Sequence, residues 1–293
     1  MPQVLANGLV QGAVLALMAI SLTIIFSILR VPHFGLGGVM VWGAFAAYFA
    51  VALGVPFWLA MAGAAVGAAA LGVVIERLAF RRLRGATEDA MFVSAIGVLI
   101  AMENGALLAF GGETRSIEVP ASLRSVVSLG GVVYLPAMRV VIFGLAVLAF
   151  ATLIVFVRTT RMGKAMRAVA QDGIAARLLG IPIDTVATWT FAIGSGLAGL
   201  GGALVGAAFT FNFEMGGLAI LKAFVVVVLG GLGSVGGALV GGFVLGVVDS
   251  LTLTYVTSEF KQLVAFGILI VVLVLRPSGL FGQRASRADQ AAR

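Results

Sequence analysis

Long apolar runs, separated by short polar connections, recur along the whole chain. Each run has about 20 residues, enough for a helix to cross the roughly 30 Å hydrocarbon core of a bilayer. Apolar and polar residues do not alternate within the runs, so the pattern indicates helices and not the strands of a membrane barrel. The predicted fold is one all-α transmembrane domain over residues 1–293, a polytopic bundle with about eight or nine membrane segments. The runs cover residues 5–29, 35–53, 57–76, 90–110, 139–157, 186–209, 218–234, 235–256 and 260–275.

The connection between the fifth and sixth runs differs from the others. It reads RTTRMGKAMRAVAQDGIAARLLGI (158–181) and carries five of the nineteen Lys and Arg residues. Its composition predicts short helical pieces that end at Gly180, which can adopt the left-handed conformation, with Pro182 blocking continuation. We call residues 158–183, from this stretch to the start of the next helix, the elbow.

Small residues on the elbow favour close approach by another protein surface. If the segment is drawn as a helix, Ala168, Asp172, Ala175 and Leu179 share one stripe. The elbow is therefore interpreted as a docking surface for a partner protein. The alternative is an amphipathic connector that lies among lipid headgroups, with its basic residues as anchors.

The distribution of positive charge predicts the orientation of the chain. Fourteen of the nineteen Lys and Arg residues lie in alternate connections: at Arg30, in 77–84, in the elbow, and beyond residue 275. By the positive-inside rule these connections are cytoplasmic, so the N-terminus lies outside and the C-terminus inside. This orientation requires an odd number of crossings. Nine crossings satisfy it, and so do seven if the glycine-rich stretch LGGLGSVGGALVGG (229–242) is re-entrant or a broken helix.

The composition agrees with a membrane protein. The chain is 61% hydrophobic and only 11% charged, with a mean hydropathy of +1.16, too little charge to cover a soluble domain of this size. The formal net charge of +7 comes from the basic connections, so membrane lipid and not nucleic acid is the expected partner of these residues. The chain has no cysteine, which excludes disulfides and thiolate nucleophiles.

Residues 111–138 form the largest segment on the predicted outside. Within it, SLGGVVYLP (128–136) has a β-branched and aromatic run bounded by Gly and Pro, which predicts a small β-hairpin. The C-terminal stretch GQRASRADQAAR is predicted to be disordered.

Several of the 40 glycines are spaced four residues apart. This spacing lets helix backbones approach closely in lipid, where the hydrophobic effect does not drive helix association. The pairs predict packing within the bundle; the alternatives are a seam that slides or opens, or an interface with a second membrane subunit. The pairs and triplet are Gly8 with Gly12, Gly63 with Gly67, Gly202 with Gly206, Gly233 with Gly237 and Gly241, and Gly242 with Gly246.

Few ionisable residues lie at membrane depth. Glu103, beside Asn104, is in the fourth run, and Asp249 is in the eighth. A charge at a helix centre costs about 2.5–3.5 kcal/mol on insertion scales, so each carboxylate should face protein or water. The three residues are candidates to line a translocation path. The structural alternative is a carboxylate that is hydrogen-bonded to a neighbouring helix or wetted near a helix end.

The only histidine, His33, stands beside Phe34 in VPHFGLGG (31–38), just after the first run, and both residues are further candidates for the path. No Cys or second His accompanies it, so no metal site is expected. A proton relay and an ordinary interfacial histidine remain the alternatives. The chain also lacks a recognisable nucleophile and base pair and a GxxxxGK[ST] phosphate loop, so no catalytic site is expected.

The chain resembles the LivH-type inner-membrane permeases of branched-chain amino acid ABC transporters. The elbow, followed by DTVATWTFAIGSGLAGLGGAL (184–204), is similar to the cytoplasmic loop and next span of that family. The resemblance extends to NGLVQGAVLALMAISLTIIFSILRVPHFGLGGVMVWGAFAA (7–47), to KAFVVVVLGGLGSVGGALVGGFVLGVVDSL (222–251) and to the ending LRPSGLFG (275–282). It is least distinctive over 111–138.

The resemblance implies a transport complex in a bacterial inner membrane. Such a permease pairs with a second, related permease, two cytoplasmic ATPase subunits bind ATP and Mg, and a periplasmic protein delivers the solute. This chain itself would bind no cofactor or metal and would not be an enzyme. The elbow would be the loop that couples the ATPases to the helices, and 111–138 would be periplasmic. By this resemblance, the residues that would contact the ATPase are Ala170, Asp172, Gly173, Ala175, Leu178, Leu179 and Gly180. The basic residues Arg158, Arg161 and Arg167 would flank that contact or meet lipid headgroups.

One stretch departs from the family pattern. The family commonly shows Asn-Phe-Ala-His-Gly after its first span, whereas here His33 precedes Phe34 and the asparagine is absent. If this turn contributes to the path, the solute is not necessarily leucine, isoleucine or valine, since related systems import urea, amides or other solutes. The expected function is import of branched-chain or other hydrophobic amino acids. The rival is an ion-coupled secondary transporter that uses Glu103 and Asp249.

Overall fold

A computed structural model describes residues 1–30, 32–83, 86–129, 133–256, 260–276 and 279–281. Arg84 and the C-terminal stretch predicted to be disordered lie outside these residues. The described α-helices are α1 (Pro2–Leu29), α2 (Leu36–Ala52), α3 (Phe57–Ile75), α4 (Glu88–Phe110), α5 (Ala137–Thr159), α6 (Arg161–Gln171), α7 (Gly173–Leu178), α8 (Ile183–Ala208), α9 (Met215–Gly230), α10 (Val235–Tyr255) and α11 (Lys261–Leu275).

Nine of the helices in the described part of the chain are apolar, and they coincide with the nine predicted runs. Six have the length and composition to cross a bilayer: α1, α3 with its π and 3-10 turns through Leu83, α4, α5, α8 and α10. The helices α2, α9 and α11 are shorter, with 17, 16 and 15 residues. The prediction of an all-α polytopic bundle is therefore confirmed.

The first helix, α1, lies at the centre of the bundle, and 83% of its most apolar window is buried. It packs antiparallel to α10 through glycines on both helices. A methyl group at Gly12 would meet the backbone of Phe243, and one at Gly246 would overlap the backbone of Gly12. The predicted packing role of these glycine pairs is therefore confirmed for Gly8, Gly12, Gly242 and Gly246.

Helix α8 packs between α2 and α3 in the same way. A methyl group at Gly202 would overlap the backbone of Met40 in α2, and one at Gly199 would overlap the side chain of Ala68 in α3. By contrast, a methyl group at Gly63 or Gly67 in α3 would meet no described atom within 4 Å. This pair therefore makes no close helix contact within the described part of the chain.

The glycine-rich stretch 229–242 contains a sharp break between two helices. Helix α9 ends at Gly230 and α10 begins at Val235, and the backbones of Gly230 and Gly237 are in contact across the turn. Gly231 and Gly233 have φ values of 101° and 85°, which residues with a Cβ rarely adopt. The prediction of a broken helix is confirmed, with a tight turn that joins two apolar helices.

The segment before α5 contains the predicted hairpin. Strand β1 (Val126–Leu129) pairs antiparallel with strand β2 (Val133–Pro136), with Val126 opposite Pro136. This segment is also tied to the bundle, because Ile117 N donates to Gly206 O at 2.8 Å.

The two ends of α1 define two faces of the bundle. At one end the Gln3 side chain exchanges two hydrogen bonds of 2.8 Å with the backbone of Tyr134 in β2, and we call this the hairpin face. At the other end, Arg30 donates to Ala170 O in α6 at 2.8 Å, and we call this the elbow face. The elbow and the hairpin therefore lie at opposite ends of the central helix.

We expect Gly246→Ala to lower the thermal stability of the protein. The added methyl group would overlap the Gly12 backbone and force α1 and α10 apart, and overpacking of this kind costs about 1–3 kcal/mol. The matched control is Gly63→Ala, where the methyl group meets open space. There the loss of glycine from a helix should be neutral or stabilise by about 0.5–1 kcal/mol. Thermal unfolding in detergent measures both, and equal midpoints would contradict the interpretation of the α1–α10 contact.

Candidate functional site

The elbow consists of two helices joined at a sharp bend. Thr160 begins α6 by accepting a hydrogen bond from Gly163 N at 3.0 Å. Helix α6 ends at Gln171, and Asp172 is extended, with φ −150° and ψ 105°. Its Oδ1 accepts hydrogen bonds from Ile174 N and Ala175 N, at 2.8 and 3.0 Å, and so begins α7. The predicted single stripe through Asp172 is wrong, because this N-cap interrupts the helix there.

The two helices of the elbow bury different amounts of their surface. Helix α6 buries Gly163, Met166 and Val169, which lie on one side of the helix. Helix α7 buries only Ala176. Its apolar residues Ile174, Leu178 and Leu179 are 77%, 84% and 82% exposed. We call these three side chains the apolar knob.

The end of the elbow has the predicted left-handed turn. Gly180 has a φ of 79°, and its N–H donates to Arg177 O at 3.0 Å. The next residue is hydrogen-bonded back to α7, since Ile181 N donates to Ala176 O at 3.0 Å. The turn fixes the knob at the tip of the elbow, where Asp172, Ala175 and Gly180 are also exposed and Ala170 and Gly173 are half-buried.

The elbow is hydrogen-bonded to the end of α1 and continues into α8. Arg30, at the end of α1, has a φ of 60° and bonds Ala170 O. At the start of α8, the Asp184 carboxylate lies 3.1 Å from Arg81 at the end of the α3 extension, with both side chains about half exposed. The basic residues Arg158, Arg161 and Arg167 are exposed on the surface beside these attachments. The elbow is therefore linked to α1 through Arg30 and to α8 through the chain itself, and the Asp184–Arg81 contact links α8 to the α3 extension.

The predicted path residues do not converge on one site. Glu103 in α4 is half-buried, and its Oε1 accepts a hydrogen bond of 2.7 Å from Gly217 N in the first turn of α9. It thereby satisfies one of the N–H groups that a helix start leaves unpaired. Asn104 is exposed and donates to Ile100 O within its own helix. Glu103 is therefore hydrogen-bonded to a neighbouring helix, which is the structural alternative for this carboxylate. Its role in a translocation path stays a prediction.

His33 is enclosed by aromatic rings. It is fully buried, with ring centroids 4.6 Å from Phe80 and 5.1 Å from Phe191, and neither of its nitrogens has a hydrogen-bond partner among the described residues. A charged imidazole would be costly in such surroundings. The neighbouring Phe34 contacts the rings of Phe92 and Phe224. Both residues pack the interior, and neither lines the large cavity described next.

Asp249 forms an ion cluster with two lysines. Its Oδ2 lies 2.6 Å from Lys222 Nζ in α9 and 3.4 Å from Lys261 Nζ at the start of α11. The Asp249 side chain is 3% exposed, and the two lysines are 17% and 26% exposed. The sequence pointed to Asp249 but not to the lysines, because each is a single charge at the edge of an apolar run and only the fold brings the three together.

The ion cluster borders a cavity of about 560 Å³. The cavity is lined by residues of α1, α2, α8, α9, α10 and α11, and most of its lining is apolar. Within the described part of the chain, no group of three His, Asp or Glu side chains could hold a metal ion. The lining residues are Gln11, Val14, Leu15, Met18, Met40, Val205, Phe209, Met215, Leu218, Ala219, Lys222, Asp249, Lys261 and Gln262.

Comparison with known proteins gives consistent matches. A family profile described as "Branched-chain amino acid transport system / permease component" matches residues 4–273. The chain is 36% identical over 295 residues to the high-affinity branched-chain amino acid transport system permease protein LivH of Salmonella typhimurium, a match that covers 96% of this chain and 95% of LivH. It is also 32% identical over 156 residues to the corresponding permease protein LivM of Escherichia coli, which covers 51% of this chain and 36% of LivM.

The fold is similar to a solved structure of PsaBC from Streptococcus pneumoniae in complex with Fab. The TM-score is 0.51, and the match covers 98% of this chain and 94% of the solved chain. The sequence identity is 11%, so the likeness shows a shared fold alone.

We expect Asp249→Asn to destabilise the protein more than Lys222→Met. The first change leaves two ammonium groups without a carboxylate, and removing one partner of a buried ion cluster costs about 3–5 kcal/mol. The second leaves Asp249 paired with Lys261 and removes one charge-assisted hydrogen bond, which costs about 1.5–3 kcal/mol. Thermal unfolding in detergent compares them. The reverse order would mean that the cluster does not hold the helices together as described.

Proposed function

The chain belongs to the permease family of branched-chain amino acid transport systems, and we propose that it is a membrane subunit of an ABC importer for branched-chain or other hydrophobic amino acids. The family is one of transport permeases and not of enzymes. The structural observation that carries the proposal is the apolar knob on a capped, attached elbow. Exposed apolar side chains at the tip of a polar connection are typical of a protein contact.

The proposed complex contains a second, related permease subunit. The chain is similar both to LivH over its full length and to LivM over half its length, which supports two related permeases in one system. Two ATPase subunits would bind on the cytoplasmic side, with the elbow docked into an ATPase cleft, and a periplasmic binding protein would deliver the solute at the hairpin face. ATP and Mg would be bound by the ATPases, and this chain would bind no cofactor.

The contacts of the elbow suggest how ATP hydrolysis moves the membrane helices. Closure of the ATPases would displace the apolar knob. Because Ala170 is bonded to Arg30, the displacement would reach α1, and α1 carries it to α10 through their glycine contacts. Packed helices respond to such a push by sliding or rotating as rigid bodies. The solute path would open and close through this motion.

The proposal places the elbow in the cytoplasm and the hairpin outside, in a bacterial inner membrane. The bias of basic residues toward the elbow face supports this orientation. The unusual turn at His33 gives no separate support for urea or amides, because His33 and Phe34 pack against phenylalanines away from the large cavity. Membership of an ABC permease family also argues against the ion-coupled rival.

The orientation can be measured because the chain has no native cysteine. We expect Leu178→Cys to be protected in intact cells from a membrane-impermeant maleimide and to react after the membrane is opened. Ser128→Cys, on exposed β1, should react in intact cells. Labelling of both variants is read on a gel. If Leu178→Cys reacts first, the elbow is outside and the importer proposal fails.

We expect Leu178→Glu combined with Leu179→Glu to abolish transport without preventing membrane insertion. Both side chains are exposed, so the folded chain loses no packing, but charges in an apolar contact oppose docking. The matched control replaces both leucines by Met, which keeps the apolar surface. Co-purification with the ATPases and uptake in vesicles are the measurements. ATPase binding and uptake at the level of the Met control would contradict docking at the knob.

A further inference from the structure

The cavity of about 560 Å³ lies in the half of the bundle nearer the hairpin face. Its wall includes Asp249, whose neighbour Ser250 donates to Val4 O in the first turn of α1 at 2.7 Å. The connection between α8 and α9 contributes Phe209. In the proposed orientation this is the half that receives solute from outside. The volume is within the range of about 300–1,000 Å³ that small-molecule sites occupy.

The ionisable groups of the cavity do not balance. Among its described lining residues, Lys222 and Lys261 supply two positive charges and Asp249 supplies one negative charge. Both ammonium groups approach the same carboxylate oxygen, Oδ2 of Asp249. Among the described lining residues one positive charge is therefore left over, in a wall that is otherwise mostly apolar. Such a charge is stabilised when an anionic group enters.

Two helix starts add to the positive potential. Lys261 is the first residue of α11, and Met215, the first residue of α9, also lines the cavity. Helix N-termini carry partial positive charge and bind carboxylates and phosphates. At α9, Glu103 already accepts the Gly217 N–H from outside the cavity lining, whereas the first residue of α11 is itself a lysine.

A polar residue on α1 also lines the cavity. The Gln11 side chain is among the lining residues, and its Oε1 is buried with no hydrogen-bond donor among the described residues. A buried amide oxygen without a donor is costly, so the position favours a ligand that can donate. An ammonium group is such a donor. The apolar remainder of the wall, including Met18, Met40 and Leu218, suits an aliphatic side chain.

We propose that this cavity is a solute-binding site within the permease, where Lys222 and Lys261 bind the carboxylate of an amino acid, Gln11 accepts from its ammonium group, and the apolar wall surrounds its side chain. The inference rests on the proposed function and adds to it that the permease, and not only the binding protein, selects for a carboxylate. While no solute is bound, Asp249 holds the two lysines in place, so it is a positioning residue.

The test uses the complete transporter with its second permease, ATPases and binding protein, reconstituted in phosphatidylcholine vesicles. Uptake of radiolabelled L-leucine is compared for the wild type, Lys222→Met and Lys222→Arg. We expect the Met variant to take up L-leucine about ten- to a hundredfold more slowly, the effect of losing one charge-assisted hydrogen bond. The Arg variant, which keeps the charge, should stay within about threefold of the wild type.

ATP hydrolysis stimulated by the loaded binding protein serves as the second readout. In Lys222→Met it should fall less than uptake does, because the ATPases dock at the elbow and not at the cavity. Unchanged uptake in the Met variant would overturn the proposal. An equal loss in the Met and Arg variants would also overturn it, since shape and not charge would then be responsible. If the defect of the Met variant occurs only when phosphatidylglycerol is added, the cavity is a lipid headgroup site and the proposal is wrong.

A direct binding measurement separates this proposal from the proposed function. Saturation-transfer NMR is recorded on the purified complex without the binding protein, with L-leucine and with L-leucinamide, which lacks the carboxylate. We expect transfer to L-leucine in the wild type, loss of it in Lys222→Met, and at least about tenfold weaker transfer to L-leucinamide. Absence of uptake by the wild type would defeat the proposed function. Equal transfer to both probes would defeat the carboxylate site alone.

Discussion

The close contact between α1 and α10 organises the bundle around its central helix. Lipid offers no hydrophobic drive for helix association, so the two helices adhere through backbone contact, and only glycine permits the approach seen at Gly12 and Gly246. This contact fixes the central helix along its length. Both ends of α1 are then available for attachment, at Gln3 to the hairpin and at Arg30 to the elbow.

The central helix also connects the two candidate sites. Arg30, the residue that follows α1, donates a hydrogen bond to the elbow. Four residues between Gln11 and Met18, near the middle of α1, form part of the cavity wall. A push on the apolar knob therefore reaches a helix that borders the proposed solute site. Because the α1–α10 contact is backbone to backbone, the two helices should move as one unit, and Asp249 on α10 would move with them.

The buried charges show how the fold satisfies polar groups in an apolar bundle. Asp249 is met by two lysines, and Glu103 by the unpaired N–H of Gly217 at the start of α9. His33 has no such partner among the described residues and is surrounded by aromatic rings instead. The three side chains are thus accommodated in three different ways. Among them, only Asp249 belongs to a cluster with an excess charge beside a cavity, and the proposed ligand site is therefore there.

Local composition and spacing were enough to predict the membrane fold, the nine apolar helices, the hairpin and the left-handed turn at Gly180. The sequence also indicated Asp249, since a carboxylate at membrane depth stands out in any apolar run. Only the tertiary structure decided which residues meet. The exposure of Ile174 and the convergence of Lys222 and Lys261 on Asp249 depend on contacts between distant segments, and no local pattern contains that information.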